Sequence, residues 1–206
     1  MAISPVSATR KRVPRAEREQ QMLEAADRVF ARRGYQAASM DEIAAEVGVT
    51  KPMLYAYFGS KEGLYLASVQ RAGEMLAQRL RDSAEGGPAE RLEAGVHAFF
   101  SFVDERRSSW AVLYREASAG GGPVAARVAS LRNAVAATVS QLLADMSGTG
   151  RDAVEPEPIG HALVGAGESL ANWWLDHPDE PVDKMTSRLM SFAWLGLERL
   201  ARGERL

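Results

Sequence analysis

Residues 55–61 of this 206-residue chain cluster Tyr55, Tyr57 and Lys61, side chains suited to meeting an anionic partner. Phenols and ammonium groups are donors that hold phosphate oxygens, so the chemistry they imply is recognition rather than bond-making. No comparable set for catalysis exists. His97, His161 and His177 fall in different segments with no paired-ligand spacing, and there is no cysteine to supply a thiolate ligand, a disulfide or a nucleophile. Gly120-Gly121-Gly122-Pro123 is followed by no Lys-Ser or Lys-Thr pair, so it punctuates helices rather than cradling phosphate. No catalytic residue, no metal and no cofactor is expected, and the chain reads as something other than an enzyme.

The local order around those donors predicts how they are held. Ser39 with Glu42 three positions on has the form of a capping box, which starts a helix over 40–47. Ile43 and Val47 lie four apart and point into one core, while small Ala44 lets a second helix cross closely. Gly48 supplies a tight turn that a side chain would strain. Thr50 is a strong N-cap and Pro52 falls in the first turn, where its missing N–H costs little. A second helix over 51–58 then returns Leu54 and Tyr57 or Phe58 to the core. It leaves Lys51, Pro52, Met53, Tyr55 and Ala56 outward, the arrangement of a recognition helix whose first residues face the major groove.

The rest of the chain is helical as well. Sustained strand alternation is absent, and apolar residues recur at helical spacing throughout. A first helix is predicted from about Ala16 to Arg33, with Leu23, Ala26, Val29 and Phe30 on one face and Gly34 as its stop. A longer one opens at Ser60 and runs to about Asp82 through Leu64, Ala67, Val69 and Leu76. After Glu85-Gly86-Gly87-Pro88, further helices are predicted at about 89–106, 108–118, 123–146, 157–176 and 182–202. The fold class is all-α with about nine helices. The first fifteen residues, with Arg10, Lys11, Arg12 and Arg15, read as a disordered basic arm, solvated in preference to tracking a groove. Residues 16–62 form a head, the 60–82 helix links it, and 83–206 form a body.

Charge follows the same division. Residues 1–61 carry ten Lys/Arg against seven Asp/Glu, a net of +3, so a chain of net −2 leaves −5 on the remainder. A basic head on a body with no need of phosphates fits that split. With 46% hydrophobic and 25% charged residues the chain can bury a core. No apolar run is long enough to span a membrane, and no apolar segment follows the N-terminal arginines as in a secretory signal. A cytoplasmic location and no membrane partner are expected.

Residues 16–66 resemble the DNA-binding head of the TetR (tetracycline repressor) family. The likeness is carried by Phe30, Gly34-Tyr35, Met40-Asp41-Glu42-Ile43-Ala44, Gly48-Val49-Thr50-Lys51 and Leu54-Tyr55-Ala56-Tyr57-Phe58-Gly59-Ser60-Lys61. The resemblance implies a homodimer on a palindromic double-stranded operator, most often a repressor released by a small molecule. It also implies that Ser39, Thr50, Tyr55, Tyr57 and Lys61 bond phosphates while Lys51, Pro52 and Met53 face base edges. Tyr57 fits a core aromatic equally well. Pro52 departs from the small residue, often glycine, seen at that place, which puts the first base contact in doubt but not the fold.

In the body, two sets of residues suggest roles. Aromatics at Phe99, Phe102, Trp110, Tyr114 and Trp174, with Glu168 and Asn172 beside them, are candidates to line a pocket for a hydrophobic or aromatic effector. Small and apolar residues at Gly160, Leu163 and Gly167, and at Met185, Leu189, Phe192 and Gly196, form seams spaced three and four apart. Such seams on terminal helices suit a four-helix dimer interface. Alternatives stay open: an activator or corepressor-dependent regulator shares every one of these features, and a helical small-molecule binder with a vestigial head shares the body.

Overall fold

The computed structural model describes residues 13–83, 86–118, 122–146 and 156–201, and the described residues form nine helices and no strand. These are α1 (Arg15–Ala37), α2 (Met40–Val47), α3 (Lys51–Phe58), α4 (Lys61–Asp82), α5 (Pro88–Glu105), α6 (Arg107–Ser118), α7 (Gly122–Met146), α8 (Pro156–Leu175) and α9 (Val182–Ala201). The architecture is all-α. Only the first helix departs from its expected bounds by more than one residue. Gly34 does take a positive φ of 75°, but a further turn follows and carries α1 to Ala37. Arg10, Lys11 and Arg12 lie outside the described residues, as do Glu85, Gly120-Gly121, the stretch 147–155 and the side chains of Glu116 and Leu200.

Local rules account for the head. Ser39 Oγ accepts the Glu42 N–H at 3.1 Å and Ser60 Oγ accepts the Gly63 N–H at 2.9 Å, so two helices begin on satisfied caps. The other half of the expected box is not made, because the Glu42 carboxylate accepts from Arg33 at 3.2 Å instead. Thr50 sits at the N-cap of α3 in extended backbone, yet its hydroxyl makes no cap bond. Between α2 and α3, Gly48 is left-handed at φ 75° and ψ 37°, and its N–H returns to Ala44 and Ala45. A Cβ at that φ would be strained, so the sharp turn that sets α3 across α2 depends on glycine.

Burial then fixes the crossing. Ile43, Leu54 and Leu64, one from each of three helices, are wholly buried among Met22, Val29 and Phe30 of α1. Each contributes up to roughly 1.5–3 kcal/mol through removal from water. Surface pairs such as Arg28 and Arg32 on Glu46 join α1 to α2, but solvent screens them and they add little.

The head is not tied to the body by α4 alone. Val112 of α6 and Val128 of α7 belong to the same buried cluster as Phe30, Tyr65 and Val69, so α1 packs directly on the body. A second cluster, from Leu92 and Phe100 of α5 to Trp174 of α8 and Met185 and Leu189 of α9, forms the far end of the body. Between the two, Leu76 and Leu80 of α4 meet Phe102 and Val135.

Candidate nucleic-acid interface and body cavity

On α3 only Leu54 is fully buried, and it anchors the helix to the head core. Lys51, Pro52, Met53, Tyr55 and Ala56 all lie exposed, with Met53 at 40% and Tyr55 at 42%. Apolar or phenolic side chains held open on a short helix offer contact with thymine methyls and phosphates respectively. Lys51 is tied down by Asp41 at 2.8 Å, and that bond raises its pKa. Ser39 and Thr50 are exposed at the N-terminal ends of α2 and α3.

Two expected phosphate contacts are placed differently. Lys61 points back into the head: its Nζ donates to the backbone carbonyls of Gln36 at 3.1 Å and Ala38 at 3.0 Å, and lies 4.8 Å from the Tyr35 ring centre. Two of its three donors therefore clasp the end of α1 to the start of α4. Tyr57 is half-buried against the head core, with the Arg15 guanidinium 5.2 Å from its ring centre. The core side of Tyr57 is one of the two readings its sequence position allowed, whereas the Lys61 clasp was not readable from spacing, because a lysine one residue past a cap can turn toward either surface.

The body holds a partly open apolar cavity of about 210 Å³ between α4, α5, α7 and α8. Phe99, Phe102, Trp110 and Glu168 line it, as expected of them. Three other candidates are engaged elsewhere. Trp174 is 1% exposed, stacks edge-on against Phe100 and donates to the Glu180 carbonyl at 2.7 Å, so it is core. Tyr114 is half-exposed on the outer surface of α6. Asn172 accepts the Trp110 indole N–H at 2.9 Å and so orients a wall residue without lining the cavity itself. Glu168 pairs with Arg132, also on the wall. Burial nonetheless raises its pKa, with the Arg132 charge and hydrogen bond pulling the other way.

Two wall residues at the head end escaped the sequence reading. Asp27 of α1 and Arg106, at the α5–α6 corner, face one another at 3.7 Å. Burial pushes the Asp27 carboxyl up, against the lowering effects of Ser68, Arg106 and Arg71. A signal existed: Asp27 follows Leu23 by four and precedes Phe30 by three, an acid on the buried stripe of α1.

The chain's relatives can be set beside this geometry. The family description "Bacterial regulatory proteins, tetR family" matches residues 22–68, and "Tetracyclin repressor-like, C-terminal domain" matches residues 88–196. The chain belongs to the TetR family. It is 37% identical over 195 residues to the HTH-type transcriptional activator FasR of Mycolicibacterium smegmatis, covering 92% of this chain and 87% of that protein. A TetR-like transcriptional regulator from Rhodococcus sp. RHA1 superposes with a TM-score of 0.68 at 40% identity, over 91% of this chain and 99% of the other. The transcriptional regulator FadR from Bacillus subtilis, solved in complex with stearoyl-CoA, shares the fold at a TM-score of 0.72 and 17% identity, over 90% and 99%. This chain is thus a DNA-binding transcriptional regulator with a helix-turn-helix head, and regulators of this family are not enzymes.

Within that family frame, the terminal helices need a correction. Gly160, Leu163, Gly167, Met185 and Leu189 were expected on a seam facing a second subunit, but they face inward. A Cβ on Gly160 would collide with Ser140 Oγ and come 2.9 Å from the Ala136 carbonyl, so this glycine lets α8 cross α7. Leu163, Gly167 and Leu189 line the cavity, and Met185 is wholly buried. Period identifies an apolar face without saying whose helix covers it. Among the described members of the set Phe192 alone is outward, at 72% exposure, with Leu195 also exposed at 76%. Gly196 lies in α9, and what surrounds it falls outside the described residues. Among the described residues no helix is long and apolar enough to cross a membrane.

Proposed function

We propose that this chain binds a palindromic operator as a homodimer in the bacterial cytoplasm, and that an elongated apolar effector in the body cavity sets its affinity for DNA. One observation carries the reading: a single cavity borders both Phe30 and Tyr65 of the head cluster and Leu189 of α9. Whatever fills it presses on α4 and on the α1 contact together, and so acts on the seat of the recognition helix. Lys51, Pro52 and Met53 reach base edges in this reading, while Ser39, Thr50 and Tyr55 hold phosphates. The stearoyl-CoA held by the Bacillus subtilis protein of the same fold supports a long apolar occupant.

The dimer surface follows from what lies uncovered. Phe192 and Leu195 on α9 and Trp173, 41% exposed, on α8 form an outward apolar set. Ala162 and Ser169 are exposed on α8, and a Cβ on Gly165 would meet open space, so another helix can approach closely there. Two heads so joined can meet successive major grooves about 34 Å apart. On the sign of regulation, the family resemblance points to repression and the activator name of the 37%-identical relative supports activation as the second reading.

Selection of binding sites from random-sequence DNA tests the core of this proposal. Enriched sites should contain two inverted half-sites, and affinity should fall steeply as salt rises, since phosphate contacts release counterions. Enrichment of nothing, or of unpaired half-sites, would overturn it. A reporter carrying the selected site, with and without the regulator, separates repression from activation. Any effector found must weaken or strengthen DNA binding by the same factor that DNA changes its own binding.

A further inference from the structure

The cavity's head end is walled by charge. Asp27, Arg106 and Ser109 line both the apolar cavity and a second, polar groove of about 520 Å³ between α1 and the α5–α6 corner. Most charges bordering that groove have fixed partners: Arg28 bonds Glu46 at 2.6 Å, Arg107 bonds Asp104 at 2.7 Å, and Arg79 holds Glu105 at 2.6 Å. Two arginines are left short. Arg71 meets Glu24 through Nη2 at 3.0 Å, but its Nη1 is buried with no hydrogen-bond partner. Arg106 is shorter still. Its Nε is buried without a partner, its Nη2 reaches only the Met75 sulfur at 3.5 Å, and its Nη1 stops 3.7 Å from Asp27.

A guanidinium offers five N–H donors in a rigid fork that matches carboxylate and phosphate oxygens. Donors buried and unmade cost stability, so a fold that keeps a fork this poorly served suits one completed by a ligand. The fork lies at the boundary between an apolar space and a polar one, where the two ends of an amphiphile would meet.

We infer that Arg106, with Arg71 on the same groove, receives the anionic end of the effector, so that the molecule sensed is an amphiphile with an apolar chain and a carboxylate or phosphate. This rests on the proposed effector role of the cavity and adds its chemical class. It also supplies a trigger. Asp27 is the head's own anion beside Arg106, and an arriving anion takes the fork and sets like charge against Asp27. The α1 contact with the body weakens, and the head moves without the ligand touching DNA.

Calorimetric titration of the full chain with dodecanoate, dodecyl phosphate and 1-dodecanol tests this. One of the two anions should bind at least tenfold more tightly than the alcohol, about 1.4 kcal/mol, and the preferred anion names the group recognised. Arg106→Met should bring the preference to within twofold, while Arg106→Lys keeps a preference for the anion. If Arg106→Met does not fold, Arg106→Gln, which retains donors without charge, makes the same test. Equal binding of alcohol and anions by the wild-type chain, or a tenfold preference surviving Arg106→Met, would remove the anion site and leave the apolar cavity reading standing. Failure of all three molecules to bind would reject a chain-like occupant, and with it that part of the proposed function.

Discussion

The head and the body are built from the same material, amphipathic helices, and use their interiors in opposite ways. In the head, Ile43, Leu54 and Leu64 are wholly buried and nothing separates them from α1. In the body, α4, α5, α7 and α8 stand apart around an apolar cavity. A dense core resists deformation, because side chains in contact transmit strain instead of absorbing it. A cavity wall has free volume to move into. Under the proposed function the contrast divides the roles: a rigid reader that keeps Met53 and Tyr55 at fixed positions, carried on a body whose walls an effector would shift. The coupling lies where the two meet, at α4 and at the packing of α1 on α6.

The strongest way to break this contrast is truncation on each side of it. Leu54→Ala should cost roughly 2–5 kcal/mol and abolish operator binding, since it opens a void under the recognition helix. Leu76→Ala, on the cavity wall, should fall at or below the low end of about 2 kcal/mol, because its side chain already borders empty space. Denaturant midpoints measure both. Equal losses would mean that the cavity wall is as tightly packed as the head, and the contrast would fail.

A second comparison sets the two faces of α9 against each other. Phe192→Asp with Leu195→Asp should yield folded monomer in sedimentation, losing at least about 3 kcal/mol of association if each side chain is buried in a dimer. Leu189→Asp, one turn away on the inward face, should unfold the body instead. Dimer surviving the double substitution would place the interface elsewhere.

These two faces show where sequence reading stops. In the head, function is fixed by short-range chemistry: Ser39 and Ser60 must cap, Gly48 must turn, and Leu54 must be buried, so the outward set on α3 follows by subtraction. In the body, Met185, Leu189 and Phe192 satisfy one helical stripe, yet the first two are covered by this chain's own α5 and α8 and the third is not. Nothing within α9 distinguishes them; the choice is made by helices far away in sequence. Trp174 and Trp110 differ for the same reason, one capped by Glu180 and Phe100 in the core and one on the cavity wall. Asp27 was the exception, an acid on a buried stripe that could have been noticed.

Lys61 sharpens the account of how the reader is kept rigid. Its two bonds to the Gln36 and Ala38 carbonyls are charge-assisted and close the head between α1 and α4. Lys61→Met should therefore lower stability by about 1–3 kcal/mol. The salt dependence of DNA binding should stay unchanged. If stability holds and the salt slope falls by about one unit, Lys61 contacts phosphate in the complex and the clasp opens on binding.

The smallest effect probes the junction itself. Burial raises the Asp27 carboxyl above its ordinary 3.8, outweighing the pull of Ser68, Arg106 and Arg71. Between that ordinary value and the raised one, the folded chain holds a proton at Asp27 that the unfolded chain has lost. Stability from this group therefore falls as pH rises through the window, and the penalty is fully present only above the raised value. Glu168, also raised, slopes the same way, and Glu24 and Glu105, both lowered, slope the opposite way. Those contributions persist in Asp27→Asn, so the difference between the wild-type and variant curves isolates Asp27. Unfolding free energies of both, measured from about pH 4 to pH 7, should show the wild type losing stability relative to the variant as pH rises. A difference curve rising with pH would mean that Asp27 is held ionised by a closed ion pair with Arg106. The 3.7 Å gap would then be bridged in solution, and the guanidinium would have no fork to offer an arriving anion.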